Sequence, residues 1–368
     1  MDIPTHDSSG DTVKIVHVAE SFAGGVFDLI SGLVNGMPEH EHAIVHGIRA
    51  DTPRSFTGSF PPSTRFYHWK HAAREINPIK DFRALVELLA IFRKVGQLDI
   101  IHLHSSKAGF LGRLASLMTG IRKRVIFSPQ GAAFARADVS RTKIKAYAML
   151  ERLASLFGGL VVASCASEAE SFGKAGIEAT HINNGLVCGD WRARDPGRAV
   201  VVGNASRITA QKNPVLFNQI ATELRDDRDI SFIWIGDGEM REAISSPNVR
   251  VTGWVGKDDL GGLLGDIDVY LSTSLWEGLP LSVLHAMCAG KPLLLSECTG
   301  HTDLVRNGVN GFLFRTADEA VAKILDLKRD RQMLAEMGEH SRKIALRDFS
   351  QQRMIEQYRA LYETVSRK

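Results

Sequence analysis

A chain of 368 residues is longer than one hydrophobic core usually serves, so two domains are expected. With 44% apolar and 24% charged residues and a net charge of +3, the composition is that of a globular enzyme and excludes a disordered or fibrous chain. No apolar run approaches the roughly 18 residues needed to cross a bilayer, and the polar, acidic residues 1–12 are unlike a signal peptide. Four cysteines, Cys165, Cys188, Cys288 and Cys298, are scattered without a Cys-x-x-Cys, so neither a disulfide framework nor a zinc site is expected and a reducing cytoplasm fits.

Charge is unevenly spread. Residues 51–150 hold 17 Lys/Arg against 6 Asp/Glu, whereas residues 251–300 hold 2 against 6. The basic half suits an anionic membrane surface or a phosphate-bearing acceptor, or is a solvated basic face. Nucleic acid is not expected as a partner, because no recognised module accompanies the charge.

In chain order, residues 1–12 are expected to be a disordered leader. Residues 14–19 (Lys-Ile-Val-His-Val-Ala) read as a strand, 20–25 as a turn ending in Gly24 and Gly25, and 26–37 as a helix. Strand, glycine turn and helix bring backbone amides close to a phosphate, although paired glycines also make plain tight turns and the dinucleotide fingerprint is absent. Residues 43–47 and 65–67 read as strands, and 51–63, with three prolines, as a loop. A helix over 74–94 is expected to bury Phe82, Leu85, Val86, Leu89 and Phe92. Residues 99–107 form a strand ending in His-Leu-His-Ser-Ser-Lys before a helix at 108–118; His104 and Lys107 either line a cleft or cap and solvate the helix start.

A basic triplet at 122–124 precedes a strand at 125–128 and the turn Pro129-Gln130-Gly131. Residues 133–155 read as a basic helix with Arg136, Arg141, Lys143, Lys145 and Arg152, which either docks on a membrane surface or lipid pyrophosphate or is simply solvated. A strand at 159–164 leads to Ser167-Glu168-Ala169-Glu170, a helix-capping pattern. Residues 190–198, polar and containing Pro196-Gly197, read as the linker between a first domain over 13–189 and a second over 199–348.

The second domain opens with a strand at 199–203. Arg207 and Lys212 lie five residues apart in the loop that follows, where a guanidinium fork and an ammonium can clamp a diphosphate; taken alone the pair is equally ordinary surface charge. Strands follow at 231–235 and 249–254, with Asp237 as a turn former. The run 269–273 is a buried strand that ends just before Trp276, and Pro280 suits the first turn of a helix with Leu281, Leu284 and Met287 on its apolar face. Glu277 and Gly278 thus sit at the carboxyl end of a strand, where open α/β sheets bind ligands. His285 is five residues beyond Pro280, about 7.5 Å along the helix axis, so Glu277 and His285 can touch two parts of one extended ligand. A strand at 292–296, a helix from residue 300, a turn and strand at 310–314 and a terminal helix at 349–366 complete the chain.

Residues 265–314 resemble the retaining, GT-B-fold glycosyltransferases of family 4, whose signature is a Glu, seven residues and a second Glu. The first stands at Glu277 and the second position is His285. The resemblance implies that Glu277 holds hydroxyls of a donor sugar, that Gly278 and Leu279 offer amides, and that His285 faces the nucleotide ribose. There an imidazole offers one donor and one acceptor in place of a carboxylate's two acceptors; His285 as a plain polar helix residue is the alternative. By the same resemblance Arg207 and Lys212 neutralise the departing diphosphate, Gly24 and Gly25 face it from the first domain, and Gly253 and Trp254 lie near the base. His104-Ser-Ser-Lys107 matches a family stretch, and Gln130 stands where many relatives place a His beside the donor sugar. Gln130 can hydrogen-bond a substrate but cannot act as a general base. Asp266-Ile267-Asp268 imitates a metal-binding Asp-x-Asp, yet it is in register with a family that needs no metal, so no metal or other cofactor is expected.

The expected architecture is therefore α/β, two Rossmann-like doubly wound domains facing a cleft, with the terminal helix crossing back to the first domain. The expected activity is transfer of a sugar from a nucleotide-sugar, UDP favoured and GDP possible, to a hydroxyl of a glycan acceptor, lipid-linked, in bacterial surface-polysaccharide assembly. The expected location is the cytoplasm or the inner face of its membrane. A GT-B sugar-nucleotide epimerase or hydrolase, and a non-catalytic nucleotide-sugar-binding subunit, are the alternatives.

Overall fold

The computed structural model describes residues 12–49, 51–73, 77–189, 191 and 199–367. The expected leader, but for Thr12, and the expected linker, but for Trp191, lie outside the described residues. Strands made of Val, Ile, Leu and Phe with few breaks must be covered on both faces, which favours parallel sheets with crossover helices. Two such sheets form. The first has the order β3-β2-β1-β4-β5-β6-β7 and the second β10-β9-β8-β11-β12-β13.

In the first, β1 (Lys14–Ala19), β2 (Glu41–His46), β3 (Arg65–His68), β4 (Ile100–His104), β5 (Val125–Ser128), β6 (Leu160–Ala163) and β7 (Ala179–His181) alternate with α1 (Gly24–Gly36), α2 (Pro78–Val95), α3 (Ser106–Met118), α4 (Arg141–Leu156) and α5 (Ala166–Lys174). In the second, β8 (Val200–Ala205), β9 (Ile230–Ile235), β10 (Val249–Val251), β11 (Val269–Ser272), β12 (Leu293–Ser296) and β13 (Gly311–Phe314) alternate with α6 (Pro214–Glu223), α7 (Lys257–Gly265), α8 (Leu281–Cys288) and α9 (Ala317–Arg329); α10 (Arg331–Asp348) and α11 (Gln351–Ser366) follow. The described chain divides into two compact units. One holds the residues up to Ser128, then Ala154–Leu160 and the residues from Tyr358 on; the other holds Pro129–Leu153 and Val161–Gln357.

Local chemistry sets the element ends. The Asn77 side chain accepts from the amides of Ile79 and Lys80 ahead of Pro78, and Gly96, at φ 82°, ends α2. The buried face of α2 is Ala84, Leu88, Ile91, Phe92 and Val95, which shares only Phe92 with the one expected: Phe82 is 67% and Val86 50% exposed. The helix carries apolar residues on more than one side, and its packing against α3 selects the stripe; each large aliphatic residue so buried contributes about 2 kcal/mol.

Two further expectations are corrected. Residues 301–304 are a turn and not the start of a helix. Cys188 and Cys288 form a disulfide, with Cα atoms 5.2 Å apart, while Cys165 and Cys298 are free. The partners are 100 residues apart in sequence, so spacing alone could not pair them; packing of the segment after β7 on the end of α8 does. No helix among the described residues is long and apolar enough to cross a membrane.

Candidate functional site

Both strand orders reverse beside the first strand of each sheet, between β1 and β4 and between β8 and β11. Ligands of open parallel sheets bind beyond the carboxyl ends of the strands at such points. In the second unit the loop after β8 carries Arg207 and Lys212, and the loop after β11 carries Glu277. Thr273 Oγ1 donates to the carbonyls of Lys212 (2.8 Å) and Asn213 (3.0 Å), and the Leu275 amide donates to the Gln211 carbonyl at 2.8 Å. Laced in this way, the loops set Lys212 Nζ 2.6 Å from Glu277 Oε1. Gln211 Nε2 holds the other carboxylate oxygen at 3.2 Å and the Trp276 carbonyl at 2.9 Å. The Lys212 and Glu277 side chains are only 17% and 6% exposed, so this is a largely desolvated ion pair and not a surface one. Arg207 lies exposed in the same loop.

Glycine geometry fixes where Glu277 sits. Gly300 has φ +82°, and a Cβ there would fall 1.8 Å from the Gly278 carbonyl oxygen and 3.0 Å from Glu277 Cβ. A Cβ on Gly278 would lie 2.8 Å from Ser164 Oγ and 2.9 Å from the Gly131 amide nitrogen. Gln130 therefore belongs to this neighbourhood. Its backbone is left-handed, at φ 55°, a conformation a non-glycine residue holds only when its surroundings impose it. Asn184 Nδ2 donates to Gln130 Oε1 at 3.1 Å, and the buried Glu168 carboxylate accepts from the amides of Gly131 and Ser164, both at 2.7 Å. Burial raises the pKa of Glu168 against the pull of those hydrogen bonds.

Cys165 Sγ donates to the Gly278 carbonyl at 3.4 Å, and Asp303 accepts from the Ser167 amide at 3.1 Å. His301 is fully buried next to the ion pair, its Nδ1 donating to the Ser296 carbonyl at 2.8 Å; burial lowers its pKa to about 4, so it is neutral near pH 7.

Leu279 is 4% exposed, and its side chain belongs to the core. His285 is half-buried on α8, with its ring centroid 5.2 Å from that of Trp191. Gly253, at φ +77°, follows β10, and Trp254 beside it is 69% exposed. Asp268, the second acid of the Asp-x-Asp, is buried and accepts from the Val201 amide at 2.8 Å, tying β11 to β8.

The first unit has its own switch-point chemistry. Helix α1 starts at Gly24, φ +52°, no side chain caps its N-terminus, and Gly24 and Gly25 are exposed there. Its first amides are thus directed at solvent, the arrangement that receives anions. Glu20, buried at the end of β1, accepts from Ser105 Oγ and from the Ala108 amide (3.3 Å), and burial raises its pKa. His104 and Lys107 both point inward. Lys107 Nζ pairs with Asp81 Oδ1 at 2.6 Å, and His104 Nε2 lies 3.1 Å from His17 Nδ1.

His17, His102 and His104 offer nitrogens within 4.8 Å of one another on one face of the sheet. All three are fully buried, which drives their pKa values down, that of His104 to about 3, and leaves them neutral. Both nitrogens of His102 are already engaged, by Tyr362 Oη at 2.7 Å and Ser128 Oγ at 2.8 Å, so the group acts as a polar packing layer beneath α11. A surface hollow lined by Lys14, Pro38, Glu41 and Arg65 opens at the amino ends of β1, β2 and β3, the wrong end of the strands for a switch-point ligand.

Reasoning from sequence misses Gln211, Glu168, Asn184, Glu20 and Gly300. Gln211 lies between two residues it does single out, and its adjacency to Lys212 is the signal that could have found it. Glu168 reaches Ser164 four residues away, which its capping pattern displays, but its contact with Gly131 and the contacts of Asn184, Glu20 and Gly300 are distant in sequence and no local pattern displays them.

Two doubly wound parallel sheets, with a Lys–Glu pair at the switch point of the second, define a GT-B glycosyltransferase scaffold. A profile described as "Glycosyl transferase 4-like domain" matches residues 24–184 and one described as "Glycosyl transferases group 1" matches residues 197–330. The chain belongs to this family of glycosyltransferases.

It is similar, at 26% identity over 329 residues (82% of this chain, 84% of the relative), to an Escherichia coli protein named UDP-Gal:alpha-D-GlcNAc-diphosphoundecaprenol alpha-1,3-galactosyltransferase. An uncharacterized 41.2 kDa protein in the cps region of Klebsiella pneumoniae is 24% identical over 96% of this chain and 100% of its own. Among solved structures, Anabaena HepE in complex with UDP matches with a TM-score of 0.75 at 19% identity, over 96% of this chain and 100% of that one. Sucrose-phosphate synthase from Thermosynechococcus elongatus matches with a TM-score of 0.80 at 14% identity, over 96% and 99%. At these identities the structural matches establish the fold.

Proposed function

We propose that this chain is a retaining glycosyltransferase that moves a sugar from a UDP-sugar to a hydroxyl of a lipid-diphosphate-linked glycan in bacterial surface-polysaccharide synthesis. The observation that carries this reading is the Lys212–Glu277 pair, held by Gln211 at the β8/β11 switch point. The resting pair gives each group a partner that substrate replaces. Lys212, with Arg207, turns to the diphosphate and stabilises the negative charge that grows as the C–O bond to the sugar breaks. Glu277 accepts hydrogen bonds from hydroxyls of the donor sugar. Gln130 and the amides of Gly278 and Leu279 add neutral contacts, and His285 faces the ribose. Gln130 has no basic lone pair, so the acceptor proton passes to the leaving phosphate on the same face of the sugar, which retains configuration. No metal is needed in this scheme, because two cations and helix N-termini supply the positive charge.

The relative named for a diphosphoundecaprenol-linked acceptor supports the acceptor class, and the neighbour solved with UDP supports the nucleotide. Helix α4 adds a route to the lipid: Met149, Leu153 and Leu156 are exposed on a helix that also carries Arg141, Lys143, Lys145 and Arg152. Apolar side chains among cations suit the interface of an anionic membrane, here its cytoplasmic face.

A melting-temperature screen against UDP, GDP, dTDP, ADP and their common sugars tests the donor. At a hundredfold excess over Kd, UDP is expected to raise the melting temperature by about 5 °C or more, and Lys212→Met to abolish the shift. A shift with a purine nucleotide alone would overturn the UDP assignment. No shift with any nucleotide would favour a protein that binds none.

A further inference from the structure

Cys188 and Cys288 tie the segment after β7 to the last residue of α8, one turn beyond His285. Three residues after Cys188, Trp191 lays its indole against the His285 ring, with centroids 5.2 Å apart and planes at 44°. The indole has a built seat. A Cβ on Gly189 or on Gly261 of α7 would each fall 2.5 Å from Trp191 Nε1, so the ring occupies a slot that exists because both positions lack a side chain. Cys188 and Trp191 pack partly buried on the same core that contains Cys288, Leu284 and Met287. The disulfide, the slot and the ring contact thus converge on one side chain.

We propose that Trp191, held in its slot by the Cys188–Cys288 disulfide, is the positioning residue for His285 and that opening this disulfide lowers affinity for the nucleotide donor. The inference rests on the assignment of His285 to the ribose. A half-buried imidazole on a helix has several rotamers, and a fixed aromatic wall removes those that point away from the ligand, so less ordering remains to be done on binding.

The bond is opened by a dithiol. Its thiolate attacks Cys188 Sγ, Cys188 being the less buried of the two residues, forming a mixed disulfide and expelling Cys288 as a thiolate that takes up a proton. The second thiol of the reductant then attacks the mixed disulfide, leaving Cys188 as a thiol and the reductant as its own cyclic disulfide. An excess of the oxidised, cyclic dithiol reverses the sequence: each cysteine thiolate attacks in turn, and the reductant leaves as its free dithiol.

The test uses the full chain. Thiol titration of the unfolded, unreduced protein is expected to find two thiols, and four after dithiol treatment. UDP binding by calorimetry is expected to weaken about 3- to 10-fold on reduction, and by the same factor in Trp191→Ala and Cys188→Ser, the latter no longer responding to dithiol. In turnover, the donor KM rises while kcat and the acceptor KM stay unchanged, a split that general loosening of the fold would not give.

Gly261→Ala, which fills the slot from the α7 side, is expected to reproduce the effect with the disulfide intact. Four thiols in the unreduced protein, or equal UDP affinity in oxidised and reduced wild type, overturns the proposal whatever His285 does. Equal affinity in wild type and His285→Ala overturns the ribose assignment itself.

Discussion

Glu277→Gln is expected to lower kcat/KM by at least about 10²-fold while leaving UDP binding intact or tighter. The substitution keeps volume and the bond from Gln211 but removes the charge proposed to receive the donor sugar's hydroxyls. It also removes the resting partner of Lys212, whose ammonium lies 2.6 Å from the Glu277 carboxylate. An ammonium with no competing carboxylate is more available to a diphosphate, so the two readouts move in opposite directions. Steady-state kinetics with the UDP-sugar and calorimetry with UDP measure them separately. Turnover within about twofold of wild type would remove Glu277 from the site. A parallel loss of UDP affinity would show that Glu277 serves mainly to hold the loop.

Gly300→Ala is expected to be as damaging without replacing a charged residue. The position has φ +82°, and an added Cβ would fall 1.8 Å from the Gly278 carbonyl oxygen, a backbone atom that cannot rotate away. The Glu277–Gly278 loop must then shift, and if Glu277 holds the sugar as proposed, a displacement of the order of 1 Å costs about 10²-fold in rate. Strain at the positive φ and the clash together are expected to lower stability by about 2–4 kcal/mol, read as an earlier urea midpoint. Gly262→Ala is the control. A Cβ there meets nothing within 4 Å, and in helix α7 alanine is expected to stabilise by about 0.5–1 kcal/mol. Equal activity of Gly300→Ala and Gly262→Ala would refute the positional argument.

The sheets are legible in the sequence because their strands are short apolar runs between glycine- and proline-bearing turns, a local signal that survives without any knowledge of partners. The expected strands 14–19, 125–128, 199–203 and 269–273 meet β1, β5, β8 and β11 to within two residues at each end. What fails is whatever depends on partners. The α2 helix carries apolar residues on several sides, so its sequence admits more than one buried face, and packing on α3 decides for Leu88 and Ile91 over Phe82 and Val86. The Cys188–Cys288 bridge spans 100 residues and leaves no local trace.

The candidate site divides in the same way. Glu277 stands out at the carboxyl end of a strand, whereas Lys212 alone reads as surface charge and is singled out by the family resemblance; the structure sets the two 2.6 Å apart. Their supports, Glu168 under Gly131 and Gly300 over Gly278, are visible only once distant loops meet. At His104 the sequence shows only a histidine at the end of a strand, and its burial against His17 depends on strand pairing that no local pattern displays.

The central claim is tested most directly by incubating the purified chain with an α-configured UDP-sugar, with and without N-acetylglucosamine linked through diphosphate to a polyprenol, and following both UDP release and the anomeric configuration of the product by NMR. UDP release that requires the acceptor, with an α-linked disaccharide as product, is the predicted result. UDP release at the same rate without acceptor, or a β-linked product, would contradict it.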